Sequence, residues 1–199
     1  MLALLPLTMW GQDNSWEINE NDEIKQEVKT KSKVDEKYLK GAVPEVNGEV
    51  VFSKHIEAPG KTAAQVYDTM LQYMERLTKT TNQIESKIAI ADAEKHEIIG
   101  SYQEWLVFKK ASLYLDQTRF FYILHAQCNT GSVDIEMMRI HYLYEEERAP
   151  QRLRAEEWIT DKEAVNKKNT KLLPISGKFR RKTIDRKDFL FNKFDSLLK

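Results

Sequence analysis

Three of the four histidines, His55, His125 and His141, fall in segments rich in β-forming residues. Strand alternation sets them on one sheet face with Gln103, Trp105 and Arg139, so imidazole, indole, amide and guanidinium groups project together. That mixture suits a small ligand or a peptide strand, and these six residues are the candidate ligand-binding set. Imidazoles on strands also raise zinc chemistry, but singly satisfied histidines are the commoner outcome, and no metal site or cofactor is assigned. A second group is cationic. Lys178, Arg180, Arg181 and Lys182 open the last helix, whose amino-terminal end favours anions, and they form a candidate anion site. The acidic stretch 145–163 competes for the same cations. Paired carboxylates at 145–147 and 156–157 read as solvated faces, because acid–base catalysis needs a carboxyl held at a perturbed pKa in a cleft. The sequence contains no GxxxxGK[ST], GxSxG or HExxH pattern and no EF-hand loop, so the chemistry leans away from an enzyme.

The elements that must position these side chains follow from periodicity. Residues 49–57, EVVFSKHIE, form a strand with Val50, Phe52 and Ile56 on one face, ended by Pro59-Gly60. Thr62 and Gln65 then make a capping-box pattern. From there Val66, Tyr67, Met70, Leu71, Met74 and Leu77 stripe a helix that runs to about Lys79. Four strands follow at 84–91, 97–108, 119–128 and 132–144, joined by short turns that favour antiparallel pairing. In the last, the inward phase switches after Met137, which calls for a β-bulge at Met137-Met138. A charged stretch comes next, with a short helix over 155–165 whose Trp158 pins it to the core. Residues 172–177 read as a loop, with Ser176 where an N-cap belongs. A final helix over 178–198 carries Phe179, Ile184, Phe189, Leu190, Phe191, Phe194, Leu197 and Leu198. The order β-α-β-β-β-β-α predicts an α+β two-layer sandwich: a mostly antiparallel five-stranded sheet with both helices on one face.

Composition bounds the rest. Of 199 residues 41% are apolar and 31% charged, which fits one folded domain carrying polar tails. Lys+Arg and Asp+Glu both number 31, and this neutrality opposes a nucleic-acid binder. Cys128 is the single cysteine, which excludes an intrachain disulfide and reads as a small core residue. Residues 1–11, an apolar run closed by Gly11, read as the end of a signal peptide, too short to span a bilayer. Residues 12–45 are polar and of mixed charge, the composition of a mobile arm, and the domain occupies 46–199. The expected address is therefore outside the cytoplasm, periplasmic or extracellular, with no transmembrane segment in the mature chain.

Several stretches in order carry a resemblance: VNGEVVFSKHIEAPGKT, EWLVFKK, HYLYEEE, AEEWITDKEAVNKK and SGKFRRKTID. Over about residues 44–198 the chain resembles the family called domain of unknown function 4468. That resemblance implies a TATA-binding-protein-like (TBP-like) fold and exported bacterial proteins. It implies no activity, so no catalytic residue is carried over. Residues and resemblance together lead to the expectation of a non-enzymatic binding or protein-interaction module of the cell envelope. Its partner would be an envelope protein or a small ligand. The alternative is a small hydrolase or transferase with a site near His125 and His141. DNA binding by analogy of fold is opposed by the neutral charge and by export.

Overall fold

The computed structural model of the chain describes residues 36–111, 114–145 and 148–199. Residues 1–11, read as the end of a signal peptide, and most of the segment 12–45, read as a polar arm, lie outside the described residues. Two short strands come first, β1 (Glu45–Val46) and β2 (Glu49–Val50), closed by Asn47 and Gly48 at φ 53° and 82°. Both turn residues are left-handed, as a tight hairpin turn demands, and Asn-Gly meets that need at little cost. Then follow β3 (Phe52–Glu57), α1 (Ala63–Leu77), β4 (Lys87–Asp92), β5 (Glu97–Ala111), β6 (Tyr114–Asn129) and β7 (Ser132–Tyr144). The chain ends with β8 (Gln151–Arg154), α2 (Ala155–Trp158), α3 (Asp161–Ala164) and α4 (Ser176–Leu198).

The main sheet is antiparallel, in the order β3-β7-β6-β5-β4, with β8 beyond β3 along the same edge of β7. The expected architecture is present, with one strand more than anticipated. Gln151–Arg154 reads poorly as a strand because only Leu153 packs inward and its neighbours are charged or polar, as edge strands tend to be. The segment 49–57 divides at Val51, where Glu49–Val50 turns to pair with β1 and Phe52–Glu57 joins the sheet.

Both long helices cover one sheet face. Val66, Tyr67, Met70, Met74 and Leu77 of α1 and Phe179, Ile184, Leu190, Phe191 and Phe194 of α4 meet Ile98, Tyr102, Leu106, Phe120, Leu124, Ile135 and Tyr142 from the strands. The capping box of α1 is formed: Thr62 Oγ1 accepts from Gln65 N, and Gln65 Oε1 accepts from Thr62 N. Cys128 is buried in this core, where burial pushes its thiol up to about 12.

Four local expectations need correction. The bulge in β7 sits at Arg139, not at Met137-Met138. Phe121 faces His141 and Ile123 faces Met138, so Tyr122 is opposed by an extra residue, and Arg139 takes φ 53°. Met138 accordingly leaves the inward phase, which resumes at Ile140. The helix anticipated over 155–165 is two single turns, α2 and α3, because Thr160 is extended (φ −64°, ψ 168°) and restarts the chain. The last helix begins at Ser176, inside the expected loop, and the Ser176 hydroxyl donates to Glu163 O instead of capping. Finally, residues 36–45, assigned to the arm, are packed. Tyr38 and Val43 are buried, and Tyr38 Oη donates to Asp185 Oδ1 of α4 at 2.7 Å.

Candidate functional site

The sheet face opposite α1 and α4 is the candidate site, and strand register lays it out in rows. At the β6–β7 turn, Glu97, Gln127, Asp134 and His55 lie side by side. Successive rows toward the other end are Ile99, His125 and Glu136; Ser101, Ile123 and Met138; Gln103, Phe121, His141 and Arg154; and Trp105, Arg119, Leu143 and Arg152. Long β5 and β6, rich in β-branched and aromatic residues, supply most of it. The apolar members of these rows are half-buried, and Ile90 and Leu115 at the margins are 45% and 52% exposed. Apolar side chains in the middle are therefore flanked by carboxylates at one end and guanidinium groups at the other.

Five of the six candidate ligand residues share this face, but they do not form one pocket. His55 is exposed at the β3 edge, its Nδ1 2.6 Å from Asp134 Oδ1 and its Nε2 3.4 Å from Glu57 Oε1. The hydrogen bond with Asp134 raises its pKa above the ordinary 6.5. His125 sits between Glu97 and Glu136, with nitrogen–oxygen distances of 3.0 and 3.7 Å. His141 stacks on Phe121, with centroids 4.4 Å apart and planes within 7°. The Arg119 guanidinium lies over the Trp105 ring at 5.5 Å. Gln103 is buried between its neighbours, and Arg139 is exposed at the bulge. His141 of β7 pairs with Phe121, four residues along β6 from His125, so the two imidazoles sit on levels roughly 13 Å apart, too far to act on one substrate atom. Among the described residues no group of three His, Cys, Asp or Glu side chains is arranged to hold a metal ion.

Of the four candidate anion residues, Lys178 and Arg180 are turned onto partners within the chain. Lys178 donates to Asp116 Oδ2 at 2.7 Å and to Tyr144 Oη at 2.9 Å, over the Phe108 and Tyr144 rings. Arg180 is fully buried and donates to Tyr38 O, Ile159 O and Asp161 Oδ1. Arg181 stacks on the Tyr38 ring at 4.8 Å, and Lys182 is half-buried on the same helix. The acidic stretch does capture part of this set, through Asp161. Trp158 pins α2 as expected, edge-on to Phe179 with centroids 5.9 Å apart.

One pair escaped the sequence reading. Glu104 of β5 and Arg186 of α4 are both buried, joined by Arg186 Nε to Glu104 Oε1 at 2.7 Å and Nη2 to Oε2 at 2.6 Å. Asn82 Nδ2 and Gln83 Nε2 donate to the same carboxylate. This bidentate pair clamps α4 to the sheet on the helix side, away from the open face. Its signal was a charged residue on an inward phase: Glu104 between Tyr102 and Leu106, and Arg186 in the stripe Phe179, Thr183, Arg186, Leu190. A separate groove of about 400 Å³ runs between β3 and α4, lined by Ala42, Pro44, Phe52, Lys54, Lys187 and Phe191.

With this geometry in hand, the likeness to known proteins is specific. Residues 52–143 match the model of a domain of unknown function (DUF4468) with TBP-like fold. The crystal structure of a DUF4468 family protein from Bacteroides ovatus ATCC 8483 is 43% identical, with a TM-score of 0.77, covering 84% of this chain and 96% of that one. A TBP-like protein from Parabacteroides distasonis ATCC 8503 shares the fold at 16% identity and a TM-score of 0.62, over 78% of this chain and 96% of that one. Among curated proteins none matches the chain. On the match at 43% identity across most of both chains, the chain belongs to the DUF4468 family, with its TBP-like fold.

Proposed function

We propose that the chain is a non-enzymatic binding module of the cell envelope that holds a protein partner on the open face of its sheet. One observation carries this reading: a contiguous half-exposed band of Ile99, Trp105, Phe121, Ile123, Met138 and Leu143, framed by charge, on a face the described helices leave uncovered. Apolar side chains at the centre and charges at the rim are the anatomy of a protein interface. The aromatic stacks are rigid and large, which lowers the ordering cost of association. Carboxylates at Glu97, Asp134 and Glu136 would repel a nucleic-acid backbone along one end of the face, so a polyanion could not track its full length. The apolar run at residues 1–11 supports an address outside the cytoplasm. No described helix is long and apolar enough to cross a membrane.

Site-specific photocrosslinking in cells tests the reading. A photoreactive residue at Ile123 should yield a discrete protein adduct, and one at exposed Glu75 on α1 should not. No adduct from Ile123, or equal adducts from both positions, would remove the open face from consideration. Amino-terminal sequencing of the exported chain tests the address: Gln12 as first residue supports it, and an uncleaved Met1 in the cytoplasmic fraction contradicts it.

A further inference from the structure

We infer that the partner on the open face is a second copy of the chain, packed face to face about a two-fold axis lying across the strands. The inference rests on the reading of that face as a protein-binding surface, and two observations select this occupant.

The first is charge. Glu97, Asp134 and Glu136 stand at the β6–β7 turn end of the face and Arg119 and Arg152 toward the other, with mostly apolar rows between; Arg154 lies one row inward, beside His141, and pairs with Glu156 of its own chain. A face whose ends carry opposite charge is complementary to itself once turned end for end. A two-fold axis across the strands, between the levels of Phe121 and Ile123, does that. It sets Glu136 of one copy against the Leu143–Arg152 pair of the other, and His125 against Arg119. An axis along the strands would instead oppose like charges, so the pattern chooses one arrangement.

The second is area. Adjacent strands lie about 4.8 Å apart and rise about 3.4 Å per residue. The edge strands β3 and β4 therefore run only about 20 Å and the central β5, β6 and β7 about 45–55 Å, so the five strands together present roughly 900 Å² per copy, the size of a stable protein interface. Two sheets packed face to face stand about 10 Å apart, which lets Phe121, Ile123 and Met138 of one copy fill the gaps between those of the other.

Sedimentation equilibrium on the chain purified as the cell processes it provides the test, with circular dichroism confirming that each variant is folded. The wild type should be a dimer in the micromolar range. Ile123→Asp, Glu136→Arg and Arg152→Glu should each raise the dissociation constant about tenfold or more. The double variant Glu136→Arg with Arg152→Glu should recover most of the wild-type value, because the swapped charges meet again. A wild type that stays monomeric at about a hundred micromolar, a concentration where interfaces of this size associate, overturns the inference. So does a dimer indifferent to all three substitutions, or a double variant weaker than either single. A monomer that still forms an adduct with a different protein from Ile123 sinks the second copy alone. A monomer with no adduct sinks the binding face as well.

Discussion

Two charge pairs of opposite character set the expectations at the residue scale. The Glu104–Arg186 pair is buried on both sides, so its carboxylate and guanidinium depend on each other and on Asn82 and Gln83 for solvation. Glu104→Gln leaves a buried cation uncompensated and should destabilise the fold by about 3–5 kcal/mol, read from the urea midpoint. His55 and Asp134 are exposed, and their pairing is a matter of protonation. Because the folded-state pKa of His55 is raised above 6.5, what the pair contributes is present below that value and fades as pH rises through the folded value. Titration by NMR should place His55 above an ordinary histidine, and Asp134→Asn should bring it down. An unshifted His55 in the wild type would contradict the hydrogen bond. Of these four residues, alternation made His55 legible as a surface group. Glu104 was hidden because its partner lies far along the chain, and charged residues on an inward phase do not announce who neutralises them.

At the scale of elements, the positions of strands and helices were readable where burial imposed a period. The stripe of α1 and its Thr62 cap appear where their spacing put them, and β6 covers the expected strand 119–128 and extends it back to Tyr114. Thr62→Ala should cost about 1 kcal/mol of stability in thermal or urea melts. What escaped notice depends on tertiary partners. The bulge moved to Arg139 because strand pairing with β6, not the local sequence, decides which residue is extra. β8 exists because β7 offers it an edge. The β1–β2 hairpin was legible in Asn47-Gly48, a turn signal passed over because its flanking strands are only two residues each. Residues 36–43 look like linker, yet Arg180 fixes them by donating to Tyr38 O and Leu39 O. Arg180→Met should speed hydrogen exchange at the Leu39 and Ala42 amides; unchanged exchange there would show that the burial of Tyr38 and Val43 and the bonds from Lys37, Lys40 and Gly41 hold the segment without it. Gly100 is a further constraint: a Cβ there would come 2.5 Å from the Tyr102 ring. Gly100→Ala should therefore destabilise by about 1–3 kcal/mol in the same melts.

For the molecule as a whole, the sheet with both helices on one side follows from two amphipathic helices that can each cover only one face. The same economy leaves the second face to something else. Among the sequence candidates, His55, Gln103, Trp105, His125 and His141 were correctly gathered on that face, because period-two alternation is a local property. Their failure to converge was not legible, because convergence depends on register, and register puts His125 and His141 in separate rows. In the cationic cluster of α4, for which the acidic stretch 145–163 was the competing partner, the fold turns Lys178 and Arg180 onto Asp116, Asp161 and backbone carbonyls. The central claim, that the open face is covered in the working protein, is tested most directly by hydroxyl-radical footprinting in intact cells. Trp105, Phe121 and Met138 should be labelled several-fold less in the wild type than in an Ile123→Asp variant, with exposed Leu173 and Ile175 labelled equally in both. Equal labelling of the three face residues in the two proteins would contradict it.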